Sequence, residues 1–276
     1  MEGLLAIVTE RPYVVAFLAS FLVISWAERG WLRTGVWLAS GTFLGWLMEF
    51  SSVRSGFPFG AYSYHEELFP DELWLGGVPL FASFSFAFLT YFGYSAACTF
   101  LSPLEQRGSD IQRRADPRIE GSLLVLLLAA LITTWADAVI DPVALLGEHW
   151  FLGDLYHYQD EGLHFDVPLS NYGGWLFTSL CVVFANQRFD AWLRSRAPAQ
   201  GFYLPLKPLW AIGSLLGNFA FMLGITLYLL ASDDVPSTVP LGGILASGLA
   251  LSCLFALFAA VMVRRGLGRA ALAPAY

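Results

Sequence analysis

Lysine is almost missing from this 276-residue chain: Lys207 is the only one. It stands at the polar start of an apolar run, so a retinal-type Schiff base inside a membrane span has no lysine to form on. Histidine is nearly as scarce. The four that exist, His65, His149, His157 and His164, are scattered and cannot supply the clustered His-x-x-x-His sets of membrane di-iron hydroxylases and desaturases. Three cysteines, Cys98, Cys181 and Cys253, fall in separate apolar runs without paired spacing, which points to packing rather than a disulfide framework or a zinc site. There is no glycine-rich phosphate loop or dinucleotide fingerprint. Nor is there a basic stripe interleaved with aromatics, so nucleic-acid binding is not supported.

Charge is also in short supply, at 13% of residues against about 25% in soluble domains. What fills the chain instead is apolar: 57% of residues are hydrophobic and the mean hydropathy is +0.59. A spanning helix needs about 20 largely apolar residues. Seven stretches meet or approach this: Pro12–Ala27, Thr34–Phe50, Val78–Leu101, Gly121–Leu146, Pro168–Phe184, Leu209–Leu230 and Leu241–Val263. The expected class is an all-α polytopic membrane protein with about seven transmembrane helices, forming one integral membrane domain over 1–276. The N-terminus shows no basic segment followed by a small-x-small cleavage site, so the first span is read as retained.

The basic residues orient the spans. Arg29, Arg33, Arg107, Arg113, Arg114, Arg118, Arg188, Arg194, Arg196, Lys207, Arg264, Arg265 and Arg269 all fall on one side, 13 of the 15 Lys+Arg, leaving Arg11 and Arg54 on the other. The positive-inside rule places the N-terminus outside, the C-terminus in the cytoplasm and the protein in the cell membrane. The acids behind the net charge of −7 gather mostly in the outer loops, with Asp233 and Asp234 in the last of them.

Three carboxylates break the apolar runs. Asp137 and Asp141 share one helix face at a spacing of four, and Glu49 ends the second run. A carboxylate inside a span is costly unless paired or protonated, which marks a functional site; Asp141 could instead simply end its helix before Pro142. The two long outer loops are rich in aromatics. The first reads Gly56-Phe57-Pro58-Phe59-Gly60-Ala61-Tyr62-Ser63-Tyr64, and the second contains Tyr156-His157-Tyr158. They could form an interfacial aromatic belt or a lid over an apolar site. Each precedes Val-Pro-Leu, at Val78-Pro79-Leu80 and Val167-Pro168-Leu169, which suggests a parallel repeat of 34–101 and 121–184. Asn171 begins the fifth span near the carboxylates. Asn218, alone in the sixth, reads as a helix–helix hydrogen bond. The Asp-x-x-x-Asp spacing also resembles a magnesium–diphosphate site of membrane prenyltransferases, but the outer half carries almost no basic residue to hold the anion.

Glu49, Gly56-Phe57-Pro58-Phe59-Gly60-x-Tyr62-x-Tyr64 and Gly77-Val78-Pro79-Leu80 resemble the CruF-type carotenoid-biosynthesis membrane proteins, the γ-carotene and bisanhydrobacterioruberin hydratases. Asp137-x-x-x-Asp141-Pro142 and Val167-Pro168-Leu169-Ser170-Asn171-Tyr172-Gly173-Gly174-Trp175 fit the same pattern. The resemblance covers Glu49 to Trp175, and Asp166 departs from it where a glycine is expected before Val-Pro. It implies a cofactor-free, metal-free hydratase that adds water across the terminal carbon–carbon double bond of an acyclic carotenoid. The substrate would come from the lipid bilayer, and other carotenoid-pathway membrane enzymes are conceivable partners. On this reading Asp137 donates the proton and Asp141 or Glu49 orients water. Tyr62, Tyr64 and Asn171 hold water or shape the pocket, and Phe57, Phe59, Trp135 and Trp175 contact the polyene. The alternatives are a carotenoid or isoprenoid cyclase, a prenyltransferase-like enzyme, or a non-catalytic carotenoid-binding membrane protein.

Overall fold

The computed structural model describes residues 9–197, 199–233 and 235–272. Asp234 and the first eight residues lie outside the described residues, whereas the first span, read above as retained, is described. Seven long helices make up the body: α1 (Pro12–Arg29), α2 (Trp31–Ser55), α3 (Leu80–Leu101), α4 (Leu123–Ala144), α5 (Leu169–Leu193), α6 (Lys207–Leu230) and α7 (Leu241–Leu272). Their ends follow ordinary chemistry. Pro12 and Pro208 occupy first-turn positions where no amide donor is needed, and the Ser122 hydroxyl accepts the Val125 amide at 3.2 Å to start α4. Gly56 closes α2 in the left-handed conformation at φ 76°.

Five of these helices, α1, α3, α4, α6 and α7, are long and apolar enough to cross a membrane, as in a multi-pass membrane protein. The other two expected spans, Thr34–Phe50 and Pro168–Phe184, are helices of 25 residues each, longer than their apolar runs but too polar to qualify. Many of their polar residues are turned into the protein. Arg33, Thr34, Glu49 and Ser52 of α2 are buried, as are Asn171, Thr178, Ser179, Asn186 and Gln187 of α5. The helices that fall short on hydropathy therefore supply much of the polar interior.

At the centre stands α3, buried along most of its length and packed against all six other helices. Around it α2 packs on α3, α3 on α4, α4 on α5 and α5 back on α2, closing a four-helix ring. Small residues bring these axes together. A Cβ at Gly41 or Gly45 of α2 would lie 2.7 Å from the Ala87 backbone or 2.4 Å from the Phe86 ring.

Both long loops fold over one end of this ring. In them β1 (Tyr62–Tyr64) pairs antiparallel with β2 (Tyr156–Tyr158), matching Tyr62 with Tyr158 and Tyr64 with Tyr156. The two Tyr-x-Tyr segments thus form one ribbon. Each loop then makes the same turn before its Val-Pro-Leu. Leu75 and Val78 exchange backbone hydrogen bonds around Gly76 and Gly77 at φ 61° and 80°; His164 and Val167 do so around Phe165 and Asp166 at φ 52° and 66°. Two consecutive positive φ values mark a type I′ turn, which favours glycine or a short polar residue. This is the physical content of the departure at Asp166: the backbone keeps the left-handed geometry, with aspartate in a place that suits glycine.

At the opposite end the connection after α3 holds a hairpin. Leu104–Arg107 pairs with Asp110–Arg113 around Gly108, and Leu104 is buried. A four-residue helical turn, Pro117–Glu120, follows it.

Candidate active site beneath the tyrosine ribbon

Alternate residues of a strand point to one face, so both tyrosine pairs turn the same side of the ribbon to the helices. Ser63 and His157 occupy the other side. Beneath the ribbon lies a cavity of ≈ 160 Å³ that Glu49, Asp137 and Asp141 line together. Helix α4 runs through Pro142 to Ala144, so Asp141 does not end it. The four-residue spacing places both aspartates on the cavity face.

The aspartates are ligated unequally. Asn171 Nδ2, from the first turn of α5, donates to Asp137 Oδ2 at 2.8 Å and to Asp141 Oδ2 at 2.9 Å. Tyr158 Oη donates to Asp141 Oδ2 at 2.8 Å, and Tyr156 Oη donates to Asp141 Oδ1. Asp141 therefore accepts three hydrogen bonds, whereas Asp137, only 1% exposed, accepts one. Across the cavity Glu49 Oε1 accepts from Tyr64 Oη at 2.6 Å and Oε2 from Ser83 Oγ at 3.4 Å. Among the described residues none of the three carboxyls is paired with a basic side chain, and no lysine or arginine lines the cavity.

Burial first, and the facing carboxylates second, hold the Tyr64, Tyr156 and Tyr158 phenols well above their ordinary titration range. They remain hydrogen-bond donors throughout the physiological range. Their rings meet edge to face, Tyr62 on Tyr64 at 5.4 Å and Tyr156 on Tyr158 at 5.8 Å between centroids, so the ribbon's inner side is aromatic as well as donating.

The Pro-Phe-Gly segment shapes the wall. Phe59 N donates to Ser52 Oγ at 2.8 Å, anchoring the loop on α2. The Phe59 ring then packs beside Gly174, where a Cβ would sit 2.3 Å from it, while Trp175 stacks on Phe86 at 4.3 Å. Gly60, at φ 99°, lets the chain pass Ser170, whose Oγ would lie 2.5 Å from a Cβ there.

Of the residues singled out in the sequence, Glu49, Asp137, Asp141, Tyr62, Tyr64, Phe59, Asn171 and Trp175 are brought together at this cavity. Two are placed elsewhere. Phe57 is 58% exposed and packs on Phe177; Trp135 donates from Nε1 to the Leu251 carbonyl of α7 at 3.2 Å. Tyr156 and Tyr158 were visible as an echo of the first Tyr-x-Tyr, and the ribbon gives them direct contacts with Asp141. Asn218 also lines the cavity, and its Oδ1 has no hydrogen-bond partner among the described residues, contrary to the helix–helix bond expected of it. No histidine among the described residues lines the cavity: His65 and His157 share a hydrogen bond between ring nitrogens at 2.9 Å on the outer face of the ribbon, and His164 bonds Tyr172 and Ser247. Among the described residues no group of three or more His, Cys, Asp and Glu is arranged to hold a metal ion.

No curated protein and no solved structure matches the chain. The family model described as "carotenoid biosynthesis protein" matches residues 10–246, which takes in α1 to α6, both long loops and every residue of the cavity. The chain, with its carboxyl-lined cavity beneath a tyrosine ribbon, belongs to the carotenoid biosynthesis protein family.

Proposed function

We propose that this protein is a carotenoid hydratase that adds water across the terminal carbon–carbon double bond of an acyclic carotenoid end, without metal or organic cofactor. The observation that carries the reading is the unequal ligation of two adjacent buried aspartates in an aromatic cavity free of basic residues. Three hydrogen bonds suit Asp141 to the carboxylate form, and a single amide bond leaves Asp137 as the group that carries a proton.

In this mechanism Asp137 gives its proton to the terminal alkene, leaving a tertiary carbocation. The ionised Asp141, Glu49 and the tyrosine and tryptophan faces stabilise the cation, each aromatic contributing about 0.5–2 kcal/mol. A water oxygen forms the new C–O bond, and the proton it sheds returns to the carboxylates. The cavity of ≈ 160 Å³ matches in size the roughly 150 Å³ apolar cavity that accepts benzene, so it takes the end of a polyene and leaves the rest in lipid.

The wider reading is a cell-membrane protein in which all seven long helices cross the bilayer, with the ribbon end outside. At about 1.5 Å per residue, helices α2 and α5 are roughly 38 Å long, enough for about 30 Å of hydrocarbon. A cyclase would share the protonation step but let an internal double bond capture the cation. Turnover of lycopene or γ-carotene by purified protein in heavy-oxygen water separates the two. Hydration gives a tertiary alcohol carrying the label, whereas cyclisation leaves the mass unchanged. A requirement for dioxygen, or loss of activity to a chelator, would rule out the acid-catalysed mechanism.

A further inference from the structure

Asn218 lies about ten residues into α6 from Pro208, whose carbonyl accepts from Thr99 at the end of the bundle away from the ribbon. It therefore sits roughly 15 Å inside the bundle. The side chain is 4% exposed and shares its cavity with Glu49, Asp137 and Asp141. The same lining includes Met222, one turn further along α6, and the apolar side chains Phe17 and Phe88.

Its Oδ1 is buried and has no partner among the described residues. An amide acceptor left unpaired in an apolar interior is destabilising, and a leucine of similar volume would remove that penalty. A helix–helix hydrogen bond does not account for the residue. A hydrocarbon polyene offers it no donor either. A lone acceptor is satisfied by an N–H or an O–H, and on the hydratase reading the donors that enter this cavity are water and the product alcohol.

We propose that Asn218 is the oxygen-recognition residue of the cavity: its Oδ1 accepts a hydrogen bond from the attacking water and then from the tertiary hydroxyl that this water becomes. The assignment rests on the hydratase reading and deepens it. The reaction balances without a further reagent. The alkene π pair takes a proton from a carboxylic acid, the water lone pair closes the C–O bond, and the surplus proton of the oxonium goes back to a carboxylate. Asn218 neither gains nor loses a proton. It holds the oxygen by one hydrogen bond while three carboxyls on other helices of the same cavity handle the proton.

The test uses the full-length protein in lipid nanodiscs with two probes, lycopene and its singly hydrated tertiary alcohol, and compares wild type with Asn218→Leu and Asn218→Thr. Wild type should bind the alcohol more tightly than the hydrocarbon. Asn218→Leu should lower affinity for the alcohol roughly 3- to 10-fold, the worth of one neutral hydrogen bond, while lycopene binding does not weaken. Asn218→Thr, which restores a hydroxyl acceptor, should recover part of the loss. During turnover in deuterium oxide, Asn218→Leu should form about tenfold less alcohol while deuterium still enters the recovered polyene, because protonation persists after capture is impaired. Unchanged alcohol affinity and unchanged hydration in Asn218→Leu overturn the assignment and leave the hydratase reading standing. A marked fall in thermal stability of Asn218→Leu also overturns it, since the amide would then be structural. A wild-type protein that forms no alcohol overturns the hydratase reading itself, and the assignment with it.

Discussion

Asp137 and Asp141 differ by one helical turn, yet the structure gives them different chemical surroundings. Asp141 is held by two phenols and an amide, Asp137 by the amide alone. A positioned general acid contributes about 10²–10⁴-fold to rate. Asp137→Asn keeps the shape and the side-chain carbonyl but cannot protonate an alkene, so turnover should fall by that order while the protein stays folded and still binds the polyene. Asp141→Asn and Glu49→Gln report which carboxylate assists, the larger loss naming the partner. Near-normal turnover in Asp137→Asn with none in Glu49→Gln would move the proton donor to Glu49. These three residues were legible in the sequence because a charge inside an apolar run is expensive and few other reasons account for it. Asn218 was legible as a polar residue but not in its role, since only the neighbouring helices decide whether an amide finds a partner. Trp135 and Phe57 show the same limit: aromaticity near the right level does not say which way a ring faces, and these two face α7 and Phe177.

The elements that carry the site are fastened at both ends. At the ribbon end, β1 and β2 tie the two loops together. The sequence displayed the two Tyr-x-Tyr segments but not their pairing, because the strands are three residues each and separated by about ninety. At the far end the fastening is ionic. Arg29 closes α1 with a hydrogen bond to Asp190 Oδ2 of α5, and Arg33 Nε of α2 lies 3.3 Å from Asp190 Oδ1. Arg29 also sits over the Trp37 ring at 4.8 Å, so three helices meet around one aspartate. Removing one partner of a buried pair leaves an uncompensated charge at a cost of about 3–5 kcal/mol. Asp190 is itself half-buried, which favours the lower end of that range. Asp190→Ala should therefore lower stability by roughly 3 kcal/mol in detergent unfolding measurements, with Asp190→Asn less affected. Because Asp190 lies about 22 Å along α5 from Trp175 on the cavity wall, at about 1.5 Å per residue, the folded fraction should keep its turnover. If both variants unfold at the wild-type midpoint, the ionic cluster does not hold α1, α2 and α5 together. The helices themselves were legible from hydropathy, but α2 and α5 outran their apolar runs because inward-facing polar residues extend a helix without extending its hydrophobicity.

For the whole molecule the open question is how the bundle sits in the bilayer, and charge supplies an answer that geometry can test. On the proposed seven-span topology 13 of the 15 basic residues share one side, and the positive-inside rule then predicts that the ribbon end is outside. A carotenoid dissolved in lipid would then meet the cavity in the outer half of the membrane, under a lid that faces the exterior. Ser109, in the hairpin turn after α3, and Ser195, after α5, lie at the end away from the ribbon; Asp233 follows α6 at the ribbon end, and all three are exposed. Placing single cysteines at these positions in a background lacking Cys98, Cys181 and Cys253 gives three independent reporters. An impermeant thiol reagent applied to intact cells should modify the Asp233 position and spare the other two, which should react only after the membrane is opened. The reverse pattern would invert the protein and turn the ribbon toward the cytoplasm. Modification of all three from one side would break the alternation of spans, and would remove α2 and α5, the two helices that are long enough but too polar by hydropathy, from the set that crosses.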